Sequence, residues 1–293
     1  MDLKKGDRVI YQKATDWGLG EIIELTGGPY CVIFFVNEGA KTIGKDFVKF
    51  LTKVEGKEAA HPLLDNLRVP GQSKDVKFSS IGNLVARFFQ NFPKGFYDDE
   101  YIKHERTYKV EAHKLMANLF NKSSFTDLVE HEEYEEICLN ALKVVNKTNL
   151  IFPNEKMALK DGLKSAENKK LFSTALFNLL YGSDELSKSF EFFATSLDKM
   201  KAAKWTTQTY FLFLAFPEQY MFMKPSVTQY AAEAFAYELH YRSEINWNSY
   251  ERLLRFSQYV SDELSKINDY LKPRDMIDTQ SFIWASVPGK YTA

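Results

Sequence analysis

The sequence predicts an α+β chain, mainly α: a small N-terminal β-barrel at 1–58, a linker at 59–75 and a large all-helical domain at 76–293. Three observations carry this prediction. Up to about residue 65 the apolar residues come in short β-branched and aromatic runs separated by Gly, Asp and Pro. Beyond that point they recur at three- and four-residue steps, as in Ile81, Leu84, Val85, Phe88 and Phe89, or Leu115, Met116, Leu119 and Phe120. Finally, Pro153, Pro217, Pro225 and Pro273 fall between the periodic segments, where proline marks a boundary without breaking a helix.

The first strand is Asp7-Arg8-Val9-Ile10-Tyr11, and the second follows Trp17, where Gly18 and Gly20 flank Leu19 at a tight bend. Gly27-Gly28-Pro29 turns into the strongest strand, Tyr30 to Val36, and Asn37-Glu38-Gly39 turns out of it. Lys41-Thr42-Ile43 and Phe47 to Leu51 close the sheet. His61-Pro62, Val69-Pro70-Gly71 and Gln72-Ser73 read as the linker. Further helices are expected at about 132–146, 154–164, 168–181, 185–200, 204–216, 226–239, 248–267 and 275–286.

Composition narrows the function classes. The net charge of −1 gives no global polycation, so a nucleic-acid surface has to be a local patch. Aromatic residues make up 15% of the chain, more than a core of this size needs, which leaves rings for stacking. Cys31 and Cys138 stand far apart in apolar settings and read as buried free thiols of a cytoplasmic protein. There is no apolar leader and no run long enough to span a membrane. The five histidines never pair at metal-ligand spacing, and no phosphate-cradling or dinucleotide loop is present, so neither a metal nor a cofactor is expected.

Three polar islands carry candidate chemistry. In Met223-Lys224-Pro225-Ser226-Val227-Thr228-Gln229, Ser226 and Gln229 form a capping box, and the helix start favours an anion such as a DNA phosphate. Lys224 just before it is either an amine nucleophile with a lowered pKa or a solvated loop lysine. In Lys272-Pro273-Arg274-Asp275-Met276-Ile277-Asp278-Thr279-Gln280, Asp275 reads as an N-cap. Asp278, close to the aromatic segment ending at Trp284, is the candidate catalytic carboxylate, placed to stabilise an oxocarbenium-like sugar. The third island contains Thr148, Asn149, Asn154, Glu155 and Lys156, polar groups that read a base edge or cap a helix. Glu105 and Lys109 read as an i,i+4 surface pair.

Two resemblances add to this reading. The N-terminal strands resemble SH3- and Tudor-like barrels of the CarD type, which implies docking on DNA or on a protein partner. The stretch from Trp205 through Pro217 to Met223-Lys224-Pro225 resembles helix-hairpin-helix DNA glycosylases, with Lys224 near the loop–helix junction, although the family's Leu-Pro-Gly-Val-Gly hairpin and downstream Asp are missing. The strings Thr148-Asn149-Leu150, Glu155 to Leu159 and Pro273 to Trp284 are similar to those of bacterial proteins from phage-defence and restriction neighbourhoods, and the two-part layout resembles anti-phage DNA glycosylases that remove glucosylated hydroxymethylcytosine. These resemblances imply double-stranded phage DNA as substrate, with Asp278 and Lys224 in catalysis. Asn149, Glu155, Lys156, Ser226, Thr228, Gln229, Arg274, Asp275 and Gln280 would then hold the DNA or the modified base. The competing expectation is a non-catalytic DNA reader or adaptor, and a third is a protein–protein module.

Overall fold

The computed structural model describes residues 3–25, 30–68 and 78–286. The order is a five-stranded antiparallel sheet and then helices. The strands are β1 (Arg8–Tyr11), β2 (Gly20–Leu25), β3 (Tyr30–Phe35), β4 (Gly39–Gly44) and β5 (Leu51–Val54). The helices are α1 (Ile81–Asn91), α2 (Asp99–Tyr101), α3 (Thr107–Leu119), α4 (Lys122–Glu130), α5 (Tyr134–Asn146) and α6 (Pro153–Gly162). They continue with α7 (Ala166–Tyr181), α8 (Leu186–Lys199), α9 (Trp205–Ala215), α10 (Pro225–Ala234), α11 (Trp247–Ile267) and α12 (Met276–Ser286). No described helix is long and apolar enough to cross a membrane.

The expected strands form because alternate residues point to one face: Val9 and Tyr11, Cys31, Ile33 and Phe35, with Ile22, Ile43 and Leu51, make its buried core. Gly20 lies opposite Phe35, and a Cβ there would meet the Ile33 and Phe35 side chains at 2.7 Å. The barrel, however, is not closed. The strand order is β4-β3-β2-β1-β5, and a 3₁₀ segment, Lys45–Phe50, carries the chain from one edge to the other without edge pairing. The expected Gly27-Gly28-Pro29 turn and the Val69 to Ser73 part of the linker lie outside the described residues.

The chain forms two compact units: 1–91 with 229–239 and 285–293, and 92–228 with 240–284. In the first, the described part of the expected linker is bound rather than free. Arg8 pairs with Asp65, Leu67 bridges to Tyr237, and the Arg68 amide donates to the Ala236 carbonyl at 2.9 Å. This pairing also explains why α10 stops at Ala234, short of the expected 239: Ala236 turns to φ 54°, and the Tyr237 amide closes the helix on the Ala232 carbonyl.

In the second unit, α9 is buried along its length from Trp205 to Leu214, packed among α3, α7 and α8. Its polar residues are anchored there. Gln208 donates to the Phe190 carbonyl at 2.8 Å, and Tyr210 donates to the Val144 carbonyl at 2.8 Å. Pro153 and Pro225 are the first residues of α6 and α10 rather than lying between helices, because a first-turn residue needs no amide hydrogen. Both cysteines are free and buried, and burial pushes the Cys138 thiol up to about 11.

Gly95 has φ 59°, and a Cβ there would collide with the Tyr270 carbonyl oxygen. Gly95→Ala is therefore expected to destabilise the second unit by more than the roughly 1–2 kcal/mol of a left-handed alanine, read as a lower urea midpoint with unchanged slope.

Candidate active site

The chain from α2 into α3 runs through a π-helical turn, Ile102–Arg106. A π turn widens the helix by one residue and re-aims the side chains on either side of it. Here it sends the adjacent residues Glu105 and Arg106 to two different clusters.

Arg106 joins a buried ionic network at the start of α12. It donates twice to Asp275, at 2.9 and 2.7 Å, and to Asp278 at 2.7 Å. Asp278 is 0% exposed. Its Oδ1 accepts from Tyr101 at 2.6 Å, Arg106 at 2.7 Å and Arg274 at 3.1 Å, and its Oδ2 accepts from the Arg274 amide and Nε at 2.9 and 2.8 Å. The expected catalytic carboxylate is therefore buried, with both oxygens accepting from side chains or a backbone amide. Asp275 is the N-cap the sequence implied, accepting from the amides of Ile277 and Asp278 at 3.0 and 3.2 Å. Arg274, expected to contact DNA, spends its guanidinium on Asp278 and on the Phe96 carbonyl.

Glu105 enters a cavity of about 120 Å³. The π turn and α3 supply Glu105, Tyr108 and Lys109; the loop after α5 supplies Asn149; Lys224 precedes α10; and α12 supplies Gln280 and Trp284. Lys109 is 1% exposed, and its ammonium donates to Glu105 Oε2 at 3.1 Å, Gln280 Oε1 at 2.7 Å and Ser281 Oγ at 2.8 Å. The pair read as a surface i,i+4 contact is therefore a buried one. Burial pushes the Lys109 pKa down, and the Glu105 charge resists that shift.

At the other side, the Lys224 amine lies 4.6 Å from the Phe152 ring centroid and 4.7 Å from that of Trp284. Desolvation lowers its pKa below the ordinary lysine value, while the charge of Glu155 works in the opposite direction. The cavity thus combines a desolvated amine, a carboxylate, two amide side chains and aromatic walls.

Of the expected site residues, the structure brings Asn149, Lys224 and Gln280 together here. Glu155 and Lys156 hold the adjoining loop instead: Glu155 accepts from the Phe152 amide and Thr206 Oγ1 at 3.1 and 2.9 Å, and Lys156 donates to the Thr148 carbonyl at 2.6 Å. α10 begins at Pro225, with the Lys224 carbonyl accepting from the Val227 and Thr228 amides, so Ser226 lies inside the first turn and not at the cap. Ser226 is exposed and Thr228 buried, while Gln229 belongs to the first unit.

A larger open groove of about 590 Å³ lies beside α8, but it is lined by Glu191, Asp198 and Glu244, a charge that repels polyanions. Among the described residues, no group of three or more His, Cys, Asp or Glu side chains is placed to hold a metal ion. No family model, curated protein or solved structure matches the chain.

Proposed function

We propose that the protein is a DNA glycosylase that excises a modified cytosine from phage DNA, with Lys224 as its nucleophile. The observation that carries this reading is the Lys224 amine, desolvated between two rings at a cavity that also holds Glu105 and Gln280. An amine in such surroundings is neutral, and so nucleophilic, at a lower pH than a solvated lysine. An extruded nucleotide would place its base in the cavity and its sugar at the ring-lined amine, with the N-terminal sheet docked on the duplex. The amine attacks C1′ as the C1′–N bond breaks, and the base leaves with the bonding pair and takes up a proton. The new C1′–N ammonium loses a proton to solvent. The sugar ring then opens to an imine, which water hydrolyses to the abasic sugar and the free lysine.

A cavity of about 120 Å³ is smaller than the roughly 300–1,000 Å³ of most small-molecule sites. It holds a single ring, so the glucose of a glucosylated base would sit outside, against the exposed Phe152. The same small volume, together with the near-neutral net charge, supports the second reading, a non-catalytic reader of DNA.

The test is incubation of duplexes containing cytosine, hydroxymethylcytosine or its glucosylated form, followed by alkali, and in parallel by borohydride. The expected result is alkali-labile sites in modified DNA and a borohydride-trapped protein–DNA adduct. Modification-dependent binding without breaks or adduct would replace the enzyme by the reader.

A further inference from the structure

The N-terminal sheet carries a second concentration of charge and exposed ring. The 3₁₀ segment Lys45–Phe50 runs from β4 to β5, and in such a helix side chains three residues apart stand over one another. Phe47 and Phe50 are so placed, with ring centroids 6.4 Å apart. Phe50 packs against the sheet core, whereas Phe47 is 49% exposed. The Gln12 amide donates to the Phe50 carbonyl at 2.9 Å, which fixes the end of β1 beside this segment. Lys13 is thereby brought over the same ring: its ammonium lies 4.3 Å from the Phe50 centroid, and that of Lys49 lies 5.3 Å from it. Both lysines are exposed, and neither has an ion pair among the described residues. Lys41, by contrast, lies 5.4 Å from the Trp17 centroid but pairs with Glu38 at 3.0 Å.

Placed on one ring, the two ammonium groups are at most about 10 Å apart, within the roughly 10 Å over which charges act on each other at 0.1 M salt. Each is attracted by the ring face and repelled by the other. A polyanion removes that repulsion. The one acidic side chain on the segment, Asp46, is exposed and forms no ion pair among the described residues, so three lysines (Lys13, Lys45 and Lys49) stand against one carboxylate. The exposed ring decides which polyanion fits. An acidic peptide meets the lysines and leaves Phe47 bare, whereas a nucleic-acid strand repeats an anion and a flat π face at every residue and so meets both. In a closed duplex the bases are turned inward and stacked on each other, and only phosphates reach this surface. We infer that this face binds a nucleic-acid strand with unpaired bases, with Lys13 and Lys49 on its phosphates and a base stacked on Phe47. The contact is independent of the chemistry at the cavity: on a duplex the lysines alone dock the sheet, and Phe47 adds its contact wherever bases are unpaired.

The test is equilibrium binding of the full chain, over a range of salt, to a deoxythymidine oligomer and to a duplex of the same length without modified bases. Polyglutamate is the control polyanion. The double variant Lys13→Gln/Lys49→Gln should weaken binding to both nucleic acids. On the single strand it should also lower the slope of log affinity against log salt by about 1.4, the share of two phosphate contacts. Phe47→Ala should weaken single-strand binding about 5- to 150-fold and leave duplex binding unchanged, while Phe47→Trp, which keeps a stacking face, should retain both. Lys41→Gln, which removes a lysine already paired with Glu38, should leave the slope unchanged. No binding of the oligomer, equal loss on both nucleic acids in Phe47→Ala, an unchanged slope in the double variant, or a lowered slope in Lys41→Gln would overturn the inference. Polyglutamate binding as tight as that of the oligomer, and equally weakened in the double variant, would overturn it in favour of an acidic protein partner. Since neither probe holds a modified base, failure here leaves the glycosylase reading standing, and absence of excision elsewhere leaves this one.

Discussion

Asp278→Asn is expected to lower the stability of the helical unit by about 3–5 kcal/mol, the usual consequence of removing one partner from a buried ion pair. Asp278 is 0% exposed and compensates two guanidinium groups, Arg106 and Arg274, while accepting from Tyr101 at 2.6 Å. Asparagine has nearly the same shape, but it replaces one accepting oxygen by an NH₂ that faces donors. If that NH₂ replaces Oδ1, it opposes the Tyr101 hydroxyl, Arg106 and Arg274; if it replaces Oδ2, it opposes the Arg274 amide and Nε. Either orientation leaves buried donors unpaired and removes the charge that offsets Arg274, leaving Arg106 to Asp275 alone. Urea unfolding followed by circular dichroism measures the effect. The same variant separates the structural role from the catalytic one the sequence suggested. Full stability combined with lost base excision would return Asp278 to the chemistry, whereas a lowered midpoint with activity retained under native conditions confirms it as part of the frame.

The strands were legible in the sequence because alternation is a local signal: Val9 and Tyr11, or Cys31, Ile33 and Phe35, declare one buried face unaided. Closure of the sheet was not legible, since it depends on where the Lys45–Phe50 segment carries the chain, and no residue pattern states that. Helix limits were legible wherever a cap or a proline marks them, as at α6, α11 and α12. They were not legible where pairing from distant sequence ends a helix, as Asn66 and Leu67 do just beyond α10.

The site divided along the same line. Lys224, Asn149 and Gln280 stand beside helix boundaries and apolar runs, which made them visible as polar islands. Glu105 and Lys109 carry the spacing of an ordinary solvated pair, and what buries them is a π turn with no residue signature and an α12 segment 171 positions away. The burial of Asp278 is hidden from the sequence for a related reason. Its partners Tyr101 and Arg106 lie 177 and 172 positions away in sequence, so its isolation from solvent is a purely tertiary fact.

Lys224→Met should reduce base excision at least about 100-fold and abolish the borohydride-trapped adduct, while Lys224→Arg should restore neither. Methionine keeps the unbranched stem between Phe152 and Trp284 and removes only the amine. Arginine keeps the positive charge over the rings but has no neutral form to attack carbon. If the residue served only to attract a phosphate, arginine would rescue, and that result would remove Lys224 from the chemistry. The pH dependence gives an independent reading. The folded-state pKa lies below 10.5, so the fraction of neutral amine, and with it the wild-type rate, should rise with pH with its midpoint below that value. Stability has the same sign. Between the folded and unfolded pKa values the unfolded chain binds more protons at this position, so the desolvation penalty of the charged Lys224 is fully present at lower pH and fades as pH rises through the folded pKa. Lys224→Met removes both that penalty and the attraction of the two rings for the ammonium, which oppose each other, so its thermal midpoint near neutral pH should stay close to that of the wild type. A variant as stable as its parent, yet inactive and unable to form the adduct, would mark Lys224 as a residue the fold keeps for chemistry and not for stability.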